Sequence, residues 1–280
     1  MSTNAEVTWE QVAAQVPASS GERVMYARES PHQFGVLRVP EGDGPHPVVV
    51  VIHGGCWLAQ FDRRHVEKLA EVLTASGLAT WVLEYRRIGN PGGGWPGTFL
   101  DIAHGTDHLR DLAADYALDL DRVVVVGHSS GGHLALWLAA RPKLAASSDL
   151  YSADPLRVSG VVALAGITDL RSYSLGSGTC NAAVRDLMGG MARDLDERYN
   201  DANPWDLRPL GVPLRFVHGA IDDIVPATQS RRFVNAESKQ NLDVGLEIIR
   251  GAGHFDVVAP FAPAWKVVQR QIVELAGLNE

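Results

Sequence analysis

Two spacings of apolar residues alternate along this chain. Val48-Val49-Val50-Val51-Ile52 and Val123-Val124-Val125-Val126 run without a polar position, the pattern of parallel strands buried on both faces. Residues 79–83, 158–164, 214–218 and 244–249 read as further strands. Between them apolar groups recur three and four apart, as with Val66, Leu69, Ala70 and Leu73 inside 62–76. The same reading predicts helices at 98–117, 130–140, 227–239 and 257–276. Strands and helices in alternation build a mostly parallel central sheet with helices on both faces, an α/β architecture. The beginning differs. Residues 6–16 read as a short helix, and 23–28 and 35–40 alternate as half-exposed strands that open the sheet antiparallel. Residues 168–211 break the rhythm with a Ser/Gly-rich stretch, an Arg/Asp-rich helical piece and Asn203-Pro204-Trp205. They read as a small cap insertion over the C-terminal edge of the sheet, within one domain spanning 1–280.

Composition narrows the class. The chain has 280 residues, 46% of them hydrophobic and 21% charged, which is ordinary for a globular protein whose core needs no staples. Cys56 and Cys180 are its 2 cysteines. They cannot make a disulfide framework, and they suit a reducing compartment at least as well as an oxidising one. A net charge of −8 with scattered Lys and Arg argues against nucleic acid and anionic membrane surfaces. No apolar run approaches the roughly 20 residues that span a bilayer, and Met1 to Glu6 lacks a basic-then-apolar leader. A cytoplasmic location is the expectation.

The candidate chemistry begins where the strand 122–126 ends. Gly127-His128-Ser129-Ser130-Gly131-Gly132 separates that strand from the helix 130–140, so G-x-S-x-G stands in the strand–turn–helix setting of a nucleophile elbow. A Cβ at Gly127 or Gly131 would collide across so tight a turn. A serine nucleophile needs a base, and the base an orienting acid, both expected at the carboxyl ends of strands. His254 follows the last strand in Gly251-Ala252-Gly253-His254-Phe255-Asp256, flanked by small residues that leave its ring room to move. Asp222 and Asp223 compete for the acid in the loop after 214–218; the spacing to Val225-Pro226 favours Asp222. Asp169 is a rival better read as a turn residue. His65, His104 and His108 fall on predicted helices and read as solvated, while His128 and His133 read as packing groups around the elbow.

Developing negative charge on a carbonyl oxygen needs amide donors. One is Ser130 N–H at the start of its helix; the others are expected from His53-Gly54-Gly55-Cys56-Trp57, with Gly55 and Cys56 supplying amides and Gly54 the bend. His53-Gly54-Gly55-Cys56-Trp57, Gly127-His128-Ser129-Ser130-Gly131-Gly132 and Gly253-His254-Phe255-Asp256, with the Asp222 loop, resemble the α/β-hydrolase esterase/lipase and kynurenine-formamidase group from about residue 35 onward. Two departures from the hormone-sensitive-lipase pattern weaken a lipase reading: Cys56-Trp57 replaces a third glycine, and His128 an acidic residue. Trp57 is similar to the arylformamidase pattern. The reading favoured is a serine hydrolase of small carboxylic esters acting through an acyl-enzyme on Ser129, without metal or cofactor. Alternatives are hydrolysis of the aryl-formamide N-formylkynurenine, or a non-catalytic binding relative. Trp57 and Trp95, with Tyr173 or Trp205 from the cap, are the candidate substrate-binding rings. Glu84-Tyr85-Arg86-Arg87 reads as a structural ion-pair network.

Overall fold

A computed structural model describes residues 6–240 and 243–278. The strands are β1 (Glu22–Met25), β2 (Phe34–Arg38), β3 (His46–Ile52), β4 (Ala79–Leu83), β5 (Leu118–His128), β6 (Gly160–Leu164), β7 (Leu214–Gly219) and β8 (Val244–Ile249). They form one 8-stranded sheet in the order β1-β2-β4-β3-β5-β6-β7-β8. β2 runs antiparallel to both its neighbours, β1 and β4, and all the other pairings are parallel.

The helices are α1 (Trp9–Ala13), α2 (Arg64–Ala75), α3 (Gly97–Asp107), α4 (Leu109–Leu112), α5 (Ser130–Ala140), α6 (Leu170–Tyr173), α7 (Thr179–Met188), α8 (Asp196–Ala202), α9 (Thr228–Glu237) and α10 (Trp265–Leu275). Alternate residues of the central strands serve opposite faces. Val48, Val50 and Ile52 belong to the core that α3, α5 and α9 cover, while Val49 and Val51 belong to the one covered by α1, α2 and α10. α5 is buried at every position, which explains why its sequence carries no polar stripe.

Three expected elements differ. The helix expected over 98–117 is divided into α3 and α4, and residues 114–117 leave it to enter β5. The helix expected over 257–276 begins only at Trp265, because Pro260 and Pro263 interrupt the ladder. β2 is fully buried rather than half-exposed. Gly35 allows this, since a Cβ there would run into the Trp81 ring.

Between β6 and β7, residues 168–211 hold α6, α7 and α8. α5 anchors them from below, with His133 Nε2 donating to Ala202 O (2.9 Å) and Trp137 Nε1 to Asp201 O (2.9 Å).

Candidate active site

The elbow is built by the strand that feeds it. β5 delivers the chain to Ser129 at φ 57°, ψ −120°, a region that non-glycine residues occupy only when their surroundings enforce it. Ser129 N donates to Leu164 O (2.8 Å), and its own carbonyl accepts from Gly132 N (2.9 Å). On the far side of Gly127 the Gly131 backbone is too close for any side chain, as the spacing predicted. Ser129 and His254 line the same cavity, of about 800 Å³.

His254 is held by the loop after β8. Its Nδ1 donates to Asp222 Oδ2 at 2.7 Å, leaving Nε2 as the acceptor on the other side of the ring. Asp222 Oδ1 accepts from the Ile224 and Val225 amides (2.9 and 2.8 Å). Burial alone would raise this carboxyl. Hydrogen bonds from His218, at 3.2 Å, and from His254 outweigh it and hold Asp222 well below the usual carboxylate range. Asp223 also lines the cavity but is exposed and makes no bond to His254. Asp169 caps α6, accepting from Arg171 N and Ser172 N. His218 was missed by sequence reasoning; its signal was a histidine ending β7 four residues before Asp222.

The loop after β3 bends at Gly55, Cys56 and Trp57, with φ of 104°, 54° and 57°. The bend is thus one residue later than expected. Gly54 instead permits close approach, since a Cβ on it would lie 2.7 Å from His128 O and 2.9 Å from Ser129 Cβ. Among the described residues the Gly55 and Cys56 N–H groups have no hydrogen-bond partner, and both residues line the cavity beside Ser129. Below the loop, Tyr85 Oη donates to His53 O (2.9 Å), and Glu84 meets Arg87 (2.9 Å) and His53 (3.3 Å). The ion-pair reading of 84–87 thus extends to supporting this loop.

The structure does not bring the expected substrate-binding tryptophans to the cavity. The left-handed bend turns the Trp57 ring into the core, fully buried and 5.4 Å edge-on from His133. Trp95 packs its ring against Phe99 (5.6 Å) and Arg198 (5.8 Å), and its backbone N–H donates to Leu187 O (2.7 Å), so it holds α7 and α8 down on α3. Trp205 stacks under Arg208. Tyr173 does line the cavity.

Two lining groups were not foreseen. His65 was read as solvated, yet it is buried, accepts from Gly54 N (3.4 Å) and sits beside His128. Burial pushes it down to about 3. Trp9 on α1 reaches over the cavity, 4.9 Å from His65 and 5.0 Å from Phe61. α1 carries a Thr8–Gln11 capping box, and Val7 N donates to Asp256 Oδ2 (3.2 Å), beside the His254 loop.

Cys56 and Cys180 are joined as a disulfide, their Cα atoms 4.9 Å apart. The sequence reading excludes only a disulfide framework and favours a reducing compartment at least as much as an oxidising one. The two cysteines are close because α7 begins directly opposite the Gly55-Cys56 bend, and both line the cavity.

A serine on a strained elbow, a histidine–carboxylate pair and inward amides on a doubly covered parallel sheet define the α/β-hydrolase class. Within it, the family model BD-FAE matches residues 36–236, and the chain belongs to that family. The chain is 27% identical over 220 residues to a probable carboxylic ester hydrolase, LipM, of Mycobacterium tuberculosis, covering 73% of this chain and 48% of LipM. With esterase LipC of the same organism it shares 27% identity, covering 84% and 60%. The chain thus spans about half the length of these curated relatives. Esterase B from Lactobacillus rhamnosis, solved with a tributyrin phosphonate inhibitor, superposes with a TM-score of 0.78 at 20% identity, covering 94% of this chain and 88% of that one. A bifunctional GH43-CE protein of Bacteroides eggerthii gives 0.76 at 24%, covering 91% and 37%. These two show a shared fold.

Proposed function

We propose that this protein is a serine carboxylesterase for small esters. Ser129 Oγ attacks the ester carbonyl while His254 Nε2 takes its proton. The oxyanion is held by the N–H groups of Gly55, Cys56 and Ser130, the last at the positive end of α5. His254 then gives the proton to the departing alkoxide, and water drawn in by the same nitrogen releases the acid from the acyl-enzyme. Asp222 keeps the His254 ring in the tautomer this cycle needs. The observation that carries the reading is one cavity lined by Ser129, by His254 bonded to Asp222, and by the two unpaired amides.

The relatives are named as ester hydrolases, and no observation on this chain favours an aryl-formamide. Residues 168–211 act as a cap within a single domain, and Trp9, Phe61, Tyr173 and Phe255 face the substrate. The test is hydrolysis of p-nitrophenyl acetate and butyrate by the wild type and by Ser129→Ala; equal rates would end the proposal. Among the described residues no helix is long and apolar enough to cross a membrane. The expected cytoplasmic location sits poorly with a disulfide, a bond that persists where thiols are oxidised. A thiol count on protein quenched in its own cells decides between them.

A further inference from the structure

The Cys56–Cys180 bond joins two parts of the cavity that are 124 residues apart in sequence. One end is a proposed oxyanion amide. Cys56 and Trp57 are consecutive non-glycine residues in the left-handed region, each costing on the order of 1–3 kcal/mol unless the surroundings hold it. Trp57 is held by its buried ring and by its amide, which donates to Ser130 Oγ (3.4 Å). Cys56 is half-buried against the edge of the core, and among the described residues its side chain is bonded to Cys180 alone.

The other end is equally well connected. Cys180 lies in the first turn of α7, where the next residue, Asn181, donates from Nδ2 to Tyr173 O (2.6 Å). Tyr173 Oη in turn donates to Ile224 O (3.0 Å), and Ile224 N donates to Asp222 Oδ1 (2.9 Å). One covalent bond and three hydrogen bonds therefore run from the oxyanion loop, across the far wall of the cavity, to the carboxylate that orients His254.

We propose that Cys180 is a positioning residue for the esterase reaction. Its bond to Cys56 keeps the Gly55 and Cys56 amides aimed at the oxyanion, and opening it to two thiols makes hydrolysis slow while leaving the sheet intact. The inference rests on the esterase reading above. An amide that must be re-aimed in each turnover loses transition-state stabilisation and little ground-state binding. The effect therefore falls on kcat.

The experiment follows p-nitrophenyl butyrate hydrolysis by the full chain before and after tris(2-carboxyethyl)phosphine. The phosphine gives two electrons to the disulfide, water supplies two protons and one oxygen, and two thiols and a phosphine oxide result. Thiols are counted in denaturant, and far-ultraviolet circular dichroism follows the fold. The expected result is no free thiol before treatment, two after it, and a kcat lowered roughly ten- to a hundredfold. KM stays within about twofold, an unchanged spectrum accompanies the loss, and oxidised glutathione restores the rate. Cys180→Ser should start at the reduced rate and ignore the phosphine. Two thiols in the untreated protein, or full kcat with both thiols free, overturns the proposal. Activity equal to that of Ser129→Ala before treatment would instead sink the esterase reading itself.

Discussion

The cavity has a floor and a wall, and they are made differently. The floor is Ser129, His254, Asp222 and the Gly54-Cys56 bend, set at the ends of β5, β8, β7 and β3; β3 and the later half of β5 are buried, and the edge strand β8 is half-buried. The floor's positions are fixed by backbone contacts so close that glycine alone fits at Gly54, Gly127 and Gly131. The wall is Trp9 with the end of α6 and the start of α7. α1 has five residues, far below the roughly 12–15 that an isolated helix needs, so it exists by docking. Val12 is its one buried residue. A rigid floor suits chemistry, which is sensitive to fractions of an ångström. Trp9, held only by docking and, among the described residues, not bonded to the floor, suits substrate choice, because it can change without disturbing the chemistry below.

That division can be broken from the floor side first. Ser129→Ala should cost on the order of 10⁵ in kcat, read on p-nitrophenyl acetate with the unfolding midpoint unchanged. Asp222→Asn should cost roughly 10³–10⁴ by favouring the wrong His254 tautomer. Gly54→Ala pushes a methyl against His128 O and Ser129 and should lower kcat about a hundredfold, with a stability loss of about 1–3 kcal/mol seen in urea titration.

The wall predictions are smaller. Trp9→Ala should change acetate turnover by less than about threefold while shifting the butyrate-to-acetate ratio of kcat/KM by about tenfold. An acetate loss as large as that of Gly54→Ala would abolish the distinction between floor and wall.

Acid sharpens the comparison from another side. Burial pushes His65, in the floor, down to about 3, and His133, which anchors the wall, down to about 4, both from 6.5. The unfolded chain gains a proton at each below about pH 6.5 while the folded chain does not, so stability is complete above that pH and falls toward pH 4. Denaturant titrations should lose about 2 kcal/mol per histidine between pH 7 and pH 5. His133→Gln should remove one such share.

The same division explains what could be read from the sequence. Floor residues announce themselves because a strand, a tight turn and a reactive side chain must be adjacent in the chain; thus Ser129, Asp222, His254, Gly55 and Cys56, which the structure gathers around one cavity and which we propose as the catalytic set, could all be picked from the sequence. Wall residues carry no such local signature. Trp9 meets His65, and Cys56 meets Cys180, only after the chain has folded back on itself. Trp57 and Trp95 misled for the complementary reason: they sit in the right loops, but the sign of φ at Trp57 and the docking of α7 on Trp95 decide where each ring goes. His65 failed likewise, because helical periodicity marks α2's buried face without saying that this face borders a cavity.

The hydrogen bond from Val7 to Asp256 spans 249 residues. A ribosome makes Val7 long before Asp256, so this part of the α1 docking site, unlike the Phe61 and His65 part, does not exist while most of the chain is being synthesised. Asp222 and His254 are late as well. Seven strands can pair before β8 and its following loop complete both the proposed triad and the Asp256 contact to α1. The proposed catalytic site is therefore completed only once β8 and its loop are in place, and recovery of esterase activity on refolding would report pairing of that edge strand rather than formation of the sheet's centre.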